Sequence, residues 1–115
     1  MKDILIVEDD RLCRRLLEKL IDGTDYSYLS LDNGNEALQA LMNETFKVVL
    51  TDIQLPGANG RQILEKAKEL SAESDVIVLT AYGCVEEAVK CIKQGAYDYI
   101  TKPYESDKLL TILNR

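Results

Sequence analysis

The chain has 115 residues, 46% of them apolar and 30% charged, with a formal net charge of −6 at pH 7. Such a chain suits one water-soluble domain (1–115) with a single continuous core. The acidic balance disfavours direct nucleic-acid contact, which depends on Lys and Arg neutralising phosphates; no apolar run is long enough to span a bilayer, and no signal-peptide pattern opens the chain.

Ile4-Leu5-Ile6-Val7 is the first apolar run and predicts a strand that stops at Glu8-Asp9-Asp10. A helix is expected from about Arg11, with Leu12, Leu16, Leu17, Leu20 and Ile21 on its inward stripe, and Asp22-Gly23 ends it. Arg14, Arg15, Glu18 and Lys19 cover its other side. Tyr26 to Leu31 reads as the second strand, the least hydrophobic one and hence an edge strand. Asn33-Gly34 turns the chain into a short helix presenting Ala37, Leu38, Leu41 and Met42. Val48 to Thr51 is the third strand, closed by Asp52 and a Pro56-Gly57 turn. The third helix begins near Gly60 and shows Ile63, Leu64, Ala67 and Leu70.

Val76-Ile77-Val78-Leu79 is the fourth strand, ending in Thr80-Ala81. The fourth helix spans roughly Val85 to Gln94, with Val85, Ala88, Val89 and Ile92 inward, and Gly95 caps it. Tyr97 to Thr101 is the fifth strand, ending at Lys102-Pro103. A last helix starts near Ser106 and carries Leu109, Leu110, Ile112 and Leu113. This alternation gives an α/β fold, (βα)5, with near-continuous apolar strands that demand cover on both faces, hence a parallel sheet. The doubly wound order 2-1-3-4-5, flavodoxin-like, is the expected arrangement.

In that order Glu8 with Asp9, Asp52, Thr80 and Lys102 all stand at the carboxyl ends of strands and converge on one edge. Carboxylates this close repel by about 1–4 kcal/mol per pair at about 4 Å, so they take up a proton or hold a hard cation. Cys13, Cys84 and Cys91 lack metal-binding spacing and suit a reducing compartment such as the cytoplasm, and there is no His. Oxygen ligands alone favour Mg²⁺, with Asp9 and Asp52 ligating directly, Glu8 through water, and a backbone carbonyl near Gln54 completing the protein's share. Asp52 can then attack phosphorus, Lys102 and the metal neutralising the phosphoryl oxygens and Thr80 donating a hydrogen bond. The product is a transient aspartyl phosphate. Taken singly these residues have ordinary explanations: a helix N-terminus for the acidic pair, a strand end for Thr80, a solvated charge for Lys102. Their joint placement points to function.

The segments Ile4-Leu5-Ile6-Val7-Glu8-Asp9-Asp10, Val49 to Gly57, Val78-Leu79-Thr80-Ala81 and Ala96 to Pro103 together resemble the receiver domain of bacterial two-component response regulators. Gly95-Ala96-Tyr97-Asp98-Tyr99 is most like the receivers of transcriptional activators. The resemblance implies that Asp52 accepts a phosphoryl group from the phosphohistidine of a sensor histidine kinase. It also implies Mg²⁺ on Asp9, Asp52 and the Gln54 carbonyl, with Glu8 assisting. Thr80 and Lys102 would bind the phosphoryl oxygens, and Thr80 and Tyr99 would form a two-state switch. It further implies a cis bond between Lys102 and Pro103, and places Gln54 and Tyr82 on the path of hydrolytic water, where Tyr82 is expected to shield the acyl phosphate. Glu8 departs from the more usual Asp.

The expected output is a changed surface over the fourth helix, fifth strand and fifth helix that controls an effector domain, with homodimerisation of the phosphorylated form as one route. Glu86, Glu87, Lys90 and Lys93 form the exposed mixed-charge face of that helix. The domain is expected to catalyse only its own phosphorylation and dephosphorylation, and to be the amino-terminal part of a longer regulator. Two rivals differ in class. A Mg²⁺-dependent phosphohydrolase would want an acid where Gln54 stands, and a flavin-binding electron carrier would find its phosphate repelled by Glu8-Asp9-Asp10.

Overall fold

A computed structural model describes residues 2–81, 85–102, 104 and 106–113. The elements run β1 (Ile4–Val7), α1 (Arg11–Asp22), β2 (Tyr28–Leu31), α2 (Gly34–Asn43), β3 (Val48–Asp52), α3 (Gly60–Leu70), β4 (Asp75–Thr80), α4 (Val85–Lys93), β5 (Asp98–Thr101) and α5 (Ser106–Leu113). All strand pairs are parallel and the order is β2-β1-β3-β4-β5, as expected. Side chains along a strand alternate between faces. Leu5, Val7, Val49, Val76 and Val78 therefore pack in one cluster with α2, α3 and α4. Ile4, Ile6, Leu50, Ile77 and Leu79 pack in the other, with α1 and α5. Edge strand β2 has every residue only half-buried.

Several expected boundaries and faces move. β2 starts at Tyr28 rather than Tyr26, because the Tyr26 amide donates to Thr24 Oγ1 (3.2 Å) and the Ser27 amide to the Asp3 carboxylate (2.9 Å). Asn33 and Gly34 begin a helix instead of a free turn: the Asn33 side chain accepts from the Glu36 amide (2.9 Å) and caps α2. Gln94 lies just past α4, and Gly95 ends the turn there at φ 110°, a conformation that favours glycine. Tyr97 precedes β5, although its amide still donates to Val76 O (2.7 Å).

On α1, Leu17 and Ile21 are buried while Leu12 (81% exposed) and Leu16 are not, and Arg14 and Glu18 are half-buried instead of facing solvent. On α4 the inward residues are Ala88 and Cys91; Val85, Val89 and Ile92 are exposed. Two small residues let α4 approach the sheet closely and push the larger branched ones to its flanks. Met42 and Leu70 are likewise exposed. The expectations for Tyr82 and for the Lys102–Pro103 bond lie outside the described residues.

Candidate functional site

Strand register builds the site. Val7 pairs with Thr51, Asp52 with Leu79, and Thr80 with Thr101, so the residues following β1 and β5 and the last residues of β3 and β4 reach one edge together. The Glu8 amide donates to Leu31 O (3.0 Å), prolonging the β1–β2 ladder by one residue and turning the Glu8 side chain inward, fully buried. Asp9 then faces solvent, and Asp10 turns back to cap α1 through the Leu12 and Cys13 amides (2.9 and 3.1 Å). The Lys102 amide donates to Thr80 O (2.8 Å), which sets Lys102 beside the end of β4.

Glu8, Asp9 and Asp52 each offer a carboxylate oxygen within 4.8 Å of the others. Asp52 is 3% exposed. Lys102 Nζ stands 2.7 Å from Glu8 Oε1 and 3.0 Å from Asp52 Oδ1. The second contact is an ion pair, and Asp52 Oδ1 is buried without a hydrogen-bond partner. Burial, followed by the neighbouring Glu8 carboxylate, pushes the Asp52 carboxyl up to about 9, with Lys102 pulling the other way. Burial also opposes charge on Glu8, but its bonds with Asp52, Lys102, Tyr104 and the Asp10 amide outweigh that and hold it below its ordinary value. Lys102 is raised: burial works against its ammonium, and the two carboxylates more than compensate.

A buried carboxylate oxygen without a hydrogen bond, in a group whose candidate ligand atoms among the described residues are all carboxylate oxygens, suits a hard divalent cation that lets Asp52 ionise. Asp9, Asp52, Gln54, Thr80 and Lys102 line one cleft of about 210 Å³ that has room for a phosphoryl group. Tyr99 is half-buried on β5, paired with Val78 and packed against the cluster under α4. Asp9, Asp52, Gln54, Thr80 and Lys102 therefore come together in the cleft wall, while Glu8 lies beneath the cleft and Tyr99 outside its lining.

Two residues at the site were not foreseen. Tyr104 is buried and donates its hydroxyl to Glu8 Oε1 (2.7 Å). The one hint of it is its position two residues after Lys102, the spacing at which an extended chain returns to the same side. Glu87, expected on the exposed face of α4, is half-buried and lines the cleft. Its place in the first turn of a helix that follows a strand end is the available signal, because such turns border the crevice of an open α/β sheet.

Residues 4–114 match the family model described as the response regulator receiver domain. The chain is 36% identical over 112 residues to the response regulator protein FleR of Pseudomonas aeruginosa, covering 97% of this chain and 24% of that protein. It is 36% identical over 110 residues to the DNA-binding transcriptional regulator NtrC of Klebsiella pneumoniae, covering 96% and 24%. The chain thus spans about a quarter of these curated relatives. Among solved structures, the receiver domain of NtrX from Brucella abortus superposes with a TM-score of 0.91 at 30% identity, covering 98% of this chain and 96% of that one. A CheY-like receiver domain protein from Methanospirillum hungatei does so at 0.90 and 32%, covering 99% and 91%.

Proposed function

Because this chain belongs to the response regulator receiver family, we propose that Asp52 takes a phosphoryl group from the phosphohistidine of a sensor histidine kinase and thereby switches an effector. The observation that carries this is Asp52 itself, buried at the end of β3 with an oxygen that accepts no hydrogen bond, 3.0 Å from Lys102. An Asp52 carboxylate oxygen forms the new bond to phosphorus while the phosphorus–nitrogen bond breaks and the imidazole leaves. Asp9, Asp52 and the Gln54 backbone carbonyl would hold Mg²⁺, with Glu8 adding negative charge behind them. When bound, the cation neutralises carboxylate and phosphoryl oxygens at once. Lys102 turns from Asp52 to a phosphoryl oxygen, and the Thr80 hydroxyl donates to another.

Movement of Thr80 toward that oxygen opens volume for the Tyr99 ring, which is the switch. The α4-β5-α5 surface would carry the output: Val85, Val89, Ile92 and Tyr97 are exposed apolar residues there, flanked by Glu86, Lys90 and Lys93. The effector is transcriptional by likeness to the relatives, contact with DNA is left to other parts of the protein, and homodimerisation of the phosphorylated form would suit that surface. The chain turns over no substrate beyond its own aspartyl phosphate. We place it in the cytoplasm; no helix among the described residues is long and apolar enough to cross a membrane.

The test is incubation with Mg²⁺ and acetyl phosphate, or with Mg²⁺ and beryllofluoride. The unaltered chain is expected to gain the mass of one phosphoryl group, and Asp52→Asn to gain none. Turnover of many phosphate esters instead would overturn the switch in favour of a hydrolase.

A further inference from the structure

Glu8 is short of free acceptor positions. A carboxylate offers about four lone-pair sites. Oε1 faces Lys102 Nζ at 2.7 Å and accepts from the Tyr104 hydroxyl at 2.7 Å, Oε2 accepts from the Asp10 amide at 3.2 Å, and the Asp52 carboxyl is bonded to Glu8 as well. The residue exposes no surface, and Tyr104 is itself 9% exposed, its ring packed in the cluster with Leu109 and Ile112. Glu8 nevertheless has an oxygen within 4.8 Å of its Asp9 and Asp52 counterparts, near enough to join a cation if released.

From this geometry we propose that the Tyr104 hydroxyl reserves Glu8 as the fixed counter-ion of Lys102 and keeps it out of the cation's coordination shell. Tyr104 is then a positioning residue that sets which cation the site prefers. Two carboxylates, a carbonyl and several waters suit Mg²⁺, which dehydrates reluctantly; Ca²⁺ takes six to eight oxygen ligands in flexible geometry and gains most from a third carboxylate. Holding Glu8 back therefore biases the site toward the smaller ion.

The proposal rests on the cation site assigned above, and titration of cations into the full chain separates the two. Tyr104→Phe keeps the packed ring and removes the hydroxyl. Calorimetric titration at pH 7.5 with Mg²⁺ alone and Ca²⁺ alone is expected to show Ca²⁺ affinity rising about fivefold in the variant, the size of one hydrogen bond's contribution, while Mg²⁺ affinity changes about twofold or less. In a Glu8→Gln background the same substitution should leave the Ca²⁺ to Mg²⁺ ratio unchanged. A ratio unaltered by Tyr104→Phe alone, with Mg²⁺ still bound, overturns the role of Tyr104 and spares the cation site. Absence of saturable Mg²⁺ binding by the unaltered chain overturns both.

Discussion

For the proposed phosphoryl transfer, Asp52 must be buried enough to be held beside Lys102 and yet ionised to attack phosphorus. Burial and Glu8 lift its carboxyl from the ordinary 3.8 to about 9, so the cation-free folded chain keeps a proton there that the unfolded chain has lost. The folded state then binds more protons than the unfolded one across that window. Stability from this group is full below the ordinary carboxylate range and falls as pH rises toward about 9. Urea unfolding of the cation-free chain from pH 5 to 9 is expected to show that decline, with a shallower slope in Asp52→Asn. A cation must displace the same proton, so Mg²⁺ affinity should rise by up to about tenfold per pH unit below pH 9 and then level, as measured by calorimetry. Asp52, Asp9, Thr80 and Lys102 were all legible because each ends or follows an apolar run. Tyr104 was not, since its bond to Glu8 spans 96 residues of sequence and no local pattern records it.

At the scale of elements, the helices hold the strand ends in place by close backbone contact. Gly60 opens α3 with its amide donating to Ile53 O at 2.7 Å, and a Cβ there would sit 2.1 Å from Asp52 O and 2.7 Å from Ile53 Cα. Gly60→Ala must therefore push α3 away from Asp52, the proposed phosphoacceptor. It is expected to cost about 3 kcal/mol in chemical denaturation, and to slow phosphorylation by acetyl phosphate in the fraction that remains folded. Helix existence and order were readable from apolar periodicity, but helix rotation was not. On α1 the pattern Leu12, Leu16, Leu17, Leu20, Ile21 is wide enough to admit more than one inward face, and packing chose the one through Leu17 and Ile21. On α4 size decided against hydrophobicity: Ala88 and Cys91 fit under the helix where Val89 and Ile92 would hold it off.

For the molecule as a whole, the acidic edge of the sheet is a concentration of like charge that a divalent cation relieves. Mg²⁺ binding to the folded chain alone should raise its stability by about 3 kcal/mol at a hundredfold excess over the dissociation constant. Chelation should reverse this, and Asp52→Asn should blunt it; thermal unfolding with and without the ion measures each. The strand alternation that splits the core into two clusters was determined by the sequence itself, since short β-branched runs between amphipathic helices admit few other arrangements. The residues crowded at the carboxyl edge followed from the same order. What only the tertiary structure decided was which groups actually meet: Glu8 turned inward to Lys102 and Tyr104, Glu87 in the cleft wall, the flanks of α1 and α4 left in solvent. Periodicity reports how a segment relates to itself, whereas side-chain partners across the fold depend on the distances that close packing sets between elements.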